Sequence, residues 1–349
     1  MLRRWLPSVA AIALLIAIWA HALLDFGGAG TADFFARWVH DAVFVVAALG
    51  CLAHAAAERR GCLPAAALGV GLLLVAVGDL IYSMAPDLNA VPVPSLSDPF
   101  WLGIYPCEYL VLLVLTRQRV GPTLVAMRLD GVASGFAVAS LMACFTMSTA
   151  IDSTAGAPFS EQLTNLAYPT ADLVLLGAIV SAVALAGWRI NRLWALLGGA
   201  IVAWEAADLI YMLGAEGRIG IVADALVATG AIGMASAVVT RARPGARRVS
   251  TTGRGLFVPV AFGVIALGVL ALAVPLDING VAIGLAVATL GLVLVRMLLA
   301  LKENQALLGT SRVEATTDSL TGLSNRRKLK LSTEEFTPTR KRPQQLALF

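Results

Sequence analysis

CLPAAALGVGLLLVAVGDLIYSM, residues 62–84, carries no charged side chain until Asp79. A helix rises about 1.5 Å per residue and the hydrocarbon of a bilayer is about 30 Å thick, so a stretch of this length and composition is a membrane span. It also places a carboxyl group inside that span, close to one end. Both properties recur along the chain. Of its 349 residues, 58% are hydrophobic and 14% charged, and the mean hydropathy is +0.81, outside the range of ordinary soluble domains.

Nine further apolar stretches accompany this one, which extends over about 62–84. They are about 5–24, 37–57, 99–116, 130–150, 165–187, 193–214, 221–240, 256–275 and 279–300. The sequence thus predicts an all-α membrane protein with about ten transmembrane helices. Basic residues near span ends stay on the cytoplasmic side. With the N-terminus inside, fourteen arginines between Arg3 and Arg254 fall in cytoplasmic segments and only Arg37 and Arg218 fall outside. Ten more Lys and Arg from Arg296 onward put the C-terminus inside as well. The first segment resembles a secretory signal, but its apolar run is long and nine spans follow, so it is read as an uncleaved helix. The net charge of +4 reflects this inside-positive pattern, and nucleic acid is not expected as a partner. Cys51, Cys62, Cys107 and Cys144 form no CxxC pair and are read as small buried residues, without a disulfide or metal role.

The segment 78–84, GDLIYSM, returns at 207–213 as ADLIYML, with Asp79 and Asp208 separated by 129 residues. The same offset carries span 37–57 onto 166–186 and 130–150 onto 259–279. The expected organisation is therefore two parallel four-helix repeats, about 37–150 and 166–275, plus flanking helices. A second echo joins YPCEYLVLL at 105–113 to YPTADLVLL at 168–176, which places Pro106 and Pro169 in the first turns of their helices. Gly69, Gly71, Gly78, Gly198, Gly199, Gly284 and Gly291 suit close helix packing.

Charged groups in hydrocarbon are costly, by about 2.5–3.5 kcal/mol on insertion scales. Asp79, Glu108, Asp172, Glu205 and Asp208 nevertheless lie within spans, and Asp98 and Asp224 lie near the outer rim. Tyr82, Tyr105, Tyr168 and Tyr211 share that depth and can donate hydrogen bonds to carboxylates. No Lys or Arg occupies the central part of a span, so the acids must be protonated, hydrogen-bonded, hydrated or paired with a cation. Glu205, Asp208 and Tyr211 follow one another at spacings of three along one helical face. Asp79, Tyr82, Glu108, Asp172, Glu205, Asp208 and Tyr211 form the candidate sensory pocket. With His40 beside Asp41 near the same end, the layer suits a proton, metal or amine sensor. Two other readings stay open: acids that lock helix to helix, and an ion-coupled transport path.

Beyond Arg296 the apolar pattern runs into a short cytoplasmic C-terminal helix, read as a signalling helix over 301–317. Leu294, Leu298, Leu301 and Leu308 fit a heptad seam, interrupted by Gln305 and Arg312. EATTDSLTGLSNRRKL at 314–329 then resembles the start of the GGDEF diguanylate cyclase domain. The match covers Asp318, Leu320, Thr321, Gly322, Leu323, Asn325, Arg326 and Arg327. PSLSDPFWLGIYP at 94–106 and LAYPTADLVLLG at 166–177 are similar, more loosely, to the multi-span input regions that precede such domains in bacteria. The resemblance implies a bacterial inner-membrane signalling protein in which residues 1–300 form the sensory domain and 318–331 open the output domain. Complete members use Mg²⁺ and GTP held between two subunits to make cyclic di-GMP, with acids downstream of this motif. Those acids are not found here: EEF at 334–336 lacks the two glycines, and fewer than 35 residues follow Thr317, too few for a core.

The expectation is thus an input module that is not an enzyme by itself, carries no cofactor or metal, and ends in a disordered tail over 332–349. A truncation, a frameshift or an incomplete gene would each produce it. The implied partners are the lipid bilayer, a second copy or a full-length cyclase in a dimer, and an external small ligand, ion or proton. A small-solute or ion transporter with a vestigial tail is the alternative.

Overall fold

The structure is a computed structural model that describes residues 6–24, 26–27, 29–31, 34–58, 62–85, 91–120, 125–188, 190–214, 217–239 and 257–316. Among them the regular elements are all helical. In chain order the α-helices are α1 (Leu6–Leu24), α2 (His40–Ala57), α3 (Leu63–Ser83), α4 (Asp98–Leu102), α5 (Ile104–Val120), α6 (Val125–Ser153), α7 (Phe159–Leu185), α8 (Arg192–Met212), α9 (Arg218–Val239), α10 (Phe257–Leu272) and α11 (Gly280–Thr316). A π-helical turn, Phe35–Val39, leads into α2. Eight helical segments are long and apolar enough to cross a membrane. One of them, Asp98–Gln118, joins α4 to α5 through a turn at Gly103. The apolar stretches Val9–Leu24 of α1 and Pro259–Leu272 of α10 are shorter than the rest.

Local chemistry sets the ends. Pro64 occupies the first turn of α3, where its missing N–H costs nothing. The Asn191 side chain accepts from the Trp194 N–H at 3.1 Å and caps α8, which closes where Gly214 turns to a φ of +66°. Asn279 joins a helix start to a neighbour: its oxygen accepts from the Ala282 N–H at 2.9 Å, while its nitrogen donates to the Ala143 carbonyl of α6 at 2.7 Å. One expected boundary moves. Helix α7 begins at Phe159, after the extended Pro158, so Pro169 lies well inside it rather than in its first turns. It removes the N–H that would pair with the Asn165 carbonyl.

Two units divide the chain at Leu294 and Val295, and α11 spans that division. Within the first unit, α1, α2, α3, α5, α7, α8 and α9 share one buried cluster that includes Phe44, Leu72, Leu197 and Ile201. A second cluster joins α6, α7 and α10 to the start of α11 through Ala143, Leu173, Ala266 and Ala286. Without a hydrophobic drive inside lipid, helices associate by close packing, and small residues set the distance. A Cβ at Gly135 would stand 2.5 Å from the Gly177 carbonyl, so α6 and α7 touch backbone to backbone. Gly71 meets Ile104 of α5, and Ala200 meets Gly233 of α9. The second pair lies 129 residues after the first, the offset that relates Asp79 to Asp208. Gly69 and Gly78 also sit against neighbours, whereas Gly199, Gly284 and Gly291 meet nothing within 4 Å among the described residues, so the packing role expected of those three is not exercised there. The stretch 318–331 that the sequence reading takes as the opening of an output domain, with Asp318 to Arg327, and the stretch 332–349 lie outside the described residues.

Candidate functional site

A cavity of about 700 Å³ opens among the helices, with His40 of α2, Asp79 of α3, Trp101 of α4, Tyr105 of α5, Asp172 of α7 and Asp208 of α8 in its wall. His40, Asp79, Tyr105 and Asp208 come from the start of α2, the end of α3, the start of α5 and the end of α8, whereas Asp172 lies midway along α7. Asp224 near the start of α9 and Ser153 at the end of α6 also line it, so every helix from α2 to α9 contributes. No Lys or Arg is among the described residues of the wall. Arg37 instead donates to the Ser83 carbonyl at 3.2 Å, at the end of α3, where a cation also suits the helix dipole.

Of the candidate residues, Asp79, Tyr82, Asp172, Asp208 and Tyr211 face the cavity. Glu108 and Glu205 do not line it. Both are 5% exposed, and they act electrostatically on Asp172 and Asp208 from beside it. Glu205 Oε2 has no hydrogen-bond partner among the described residues. The four acids Glu108, Asp172, Glu205 and Asp208 thus form one buried cluster reached from the cavity through the two aspartates.

Aromatic donors hold the acids across helix boundaries. Trp101 Nε1 donates to Asp79 Oδ1 at 2.8 Å, Tyr105 to Asp172 Oδ1 at 2.6 Å, and Tyr168 to Asp98 Oδ1 at 2.6 Å. Tyr211 donates to Asp224 Oδ1. Each bond ties two different helices, and bonds to carboxylates are among the stronger ones. Asp98 is fully engaged, since its Oδ2 accepts from both the N–H and the hydroxyl of Ser95. Asp79 is not: its Oδ2 is buried and has no hydrogen-bond partner among the described residues. Gly78 makes the Trp101 bond reachable, because a Cβ there would lie 2.7 Å from the indole Cδ1.

Sequence reasoning gave the acids and tyrosines their shared depth but not the tryptophans. Trp101 packs against Tyr82 with ring centroids 5.3 Å apart, and Trp204 meets Phe44 at 5.9 Å, edge to face. Phe44 in turn meets His40 at 5.0 Å. WLGIY at 101–105 and WEAAD at 204–208 carry the available signal, a tryptophan one turn from a polar wall residue. His40, Asp41 and Asp79 can each offer one ligand atom, all within 4.8 Å of one another. His40 Nδ1 is 3.9 Å from both Asp41 Oδ1 and Asp79 Oδ2. No protein-family model, curated protein or solved structure matches the chain.

Proposed function

We propose that this chain is the membrane sensory input region of a diguanylate cyclase signalling protein, with the cavity as its sensory pocket. The observation that carries this reading is the composition of the wall. Side chains from every helix between α2 and α9 meet around one space, so an occupant would contact all of them and could favour one arrangement of the bundle over another. Two features support the signalling half of the proposal. Helix α11 continues without a break from its apolar segment to Thr316, and the residues that follow resemble the start of a cyclase domain. In this reading ten spans, two parallel four-helix repeats and both termini on the cytoplasmic side belong to a bacterial inner-membrane protein. Mg²⁺ and GTP belong to the complete output domain, which works as a dimer of this chain or with a full-length cyclase.

The test joins residues 1–316 to an intact cyclase domain and measures cyclic di-GMP in membranes. Asp79→Asn and Tyr211→Phe are expected to change the output several-fold while the protein still inserts. Output indifferent to every cavity substitution would remove the sensory reading. The buried cluster with the unpartnered Glu205 Oε2 favours a second reading, an ion-coupled transporter. Solute uptake that survives loss of everything after Leu301 and disappears in Asp208→Asn would establish it instead.

A further inference from the structure

The wall of the cavity combines two kinds of surface that seldom meet without a reason. It holds several carboxyl groups and no described Lys or Arg, and it presents the rings of Phe44, Tyr82, Trp101 and Trp204. Carboxylates attract a positive charge, and aromatic faces attract the same charge through their quadrupole at distances up to about 6 Å. An anion would meet unpaired carboxyl oxygens, and a neutral apolar molecule would leave them without a partner.

Among these acids, Asp79 is placed to meet a ligand. Trp101 fixes its Oδ1 at 2.8 Å, which sets the orientation of the carboxyl group, while Oδ2, with His40 Nδ1 3.9 Å away, has no hydrogen-bond donor among the described residues. An acceptor in that condition wants an N–H or O–H. Asp208 and Asp224 are close enough to Asp79 or its neighbours to add to the negative field, since all three act on the Tyr211 ring. A bare metal ion could use His40, Asp41 and Asp79, but it would fill one corner of about 700 Å³ and leave the tryptophans idle. Ligand pockets for small organic molecules have volumes of roughly 300–1,000 Å³.

We propose that the cavity binds a protonated organic amine, its ammonium group pairing with the partly exposed Asp79 carboxyl group and lying over the Trp101 ring, and its apolar body resting against Tyr82 and Trp204. The inference rests on the sensory reading of the cavity and names the class of molecule it takes. Tyr105, Tyr168 and Tyr211 then serve as positioning residues, which hold the acids of the wall through the bonds already described.

The experiment uses the full chain in lipid nanodiscs and follows thermal unfolding by tryptophan fluorescence. The probes are putrescine and phenethylamine, their neutral counterparts 1,4-butanediol and 2-phenylethanol, the anion phenylacetate, and Zn²⁺ alone. At about a hundred times its Kd, one or both amines should raise the melting temperature by about 5 °C, and the neutral and anionic molecules should not. Asp79→Asn should weaken the amine at least tenfold. Trp101→Phe, which keeps a ring face and removes the indole donor, should weaken it less; if either variant fails to fold, the unsubstituted protein's response to charged against neutral probes decides the proposal. The proposal is overturned if neither amine shifts the transition at about 10 mM. It is equally overturned if the uncharged counterparts act as strongly, or if Zn²⁺ shifts the transition and the amines do not. Should the amines fail while Asp79→Asn still alters cyclic di-GMP output in the cyclase fusion, the sensory pocket stands and the amine falls. Failure of both removes both.

Discussion

Asp-Leu-Ile-Tyr occurs twice in this chain, and the two copies solve the same problem differently. At the end of α3, Asp79 takes its donor from another helix, the Trp101 indole of α4. At the end of α8, Asp208 has Trp204 beside it, one turn back on its own helix. The residue before each aspartate follows from that choice. Gly78 leaves room for an indole arriving from outside, while Ala207 is wholly buried with its methyl accommodated. The tyrosines diverge too: Tyr82 packs on Trp101, and Tyr211 bonds Asp224 across to α9. Identical sequence thus gives an acid bonded to another helix in one copy and an acid beside a tryptophan of its own helix in the other.

Substitutions can break this asymmetry or sharpen it. The largest effect should come from Gly78→Val, since even its Cβ would lie 2.7 Å from Trp101. A loss of about 3 kcal/mol is expected from overpacking against a rigid ring, with an altered tryptophan emission spectrum as the indole leaves Asp79. Ala207→Gly, the reverse change in the other copy, should cost only about 1 kcal/mol, because no indole depends on that position. Trp101→Phe comes next. It leaves a buried carboxyl without its donor, and unfolding in nanodiscs should show a loss of about 2 kcal/mol. Trp204→Phe should lose less than Trp101→Phe; equal losses would mean that the two aspartates are held alike.

Tyr211→Phe removes a single bond between α8 and α9 and should cost about 1 kcal/mol, with Tyr105→Phe similar because it removes the bond from α5 to α7. The smallest effect is expected at Gly199, where a Cβ would meet nothing. Gly199→Ala should stabilise by about 0.5 kcal/mol through reduced chain entropy. Gly71→Ala, where a Cβ would press on Cys107 and Ile104 at 3.0–3.1 Å, should instead destabilise.

Much of the bundle was legible because a membrane imposes a simple rule on composition. The stretch of about 62–84 reads as a helix from its apolar length, and α3 covers Leu63–Ser83 of it. Helix α7 was less legible: Phe159 to Asn165 is mixed in polarity, and Pro169 invites a later start, yet the helix begins after Pro158. For the site, an acid inside a span is conspicuous in one dimension, so Asp79, Asp172 and Asp208 could be picked out. Glu108 and Glu205 were equally conspicuous but lie beside the cavity, since one turn of helix separates a wall position from the packed layer next to it. Trp101 was not picked out because tryptophan is ordinary in a membrane helix, and only its distance to Asp79 gives it a role.

The sequence by itself determined that the chain is apolar, helical and long enough to cross a membrane many times, because hydrocarbon selects on composition and length. It also determined that acids would sit within the spans and that the tetrapeptide beginning at Asp79 recurs at Asp208. Tertiary structure alone decided which acids share a space, which aromatic donor holds each of them, and which oxygen is left without a donor. Those outcomes depend on contacts between residues as far apart as Tyr105 and Asp172 or Trp101 and Asp79, and such contacts are set by how close two helices come, a distance fixed at positions like Gly78 and Gly135.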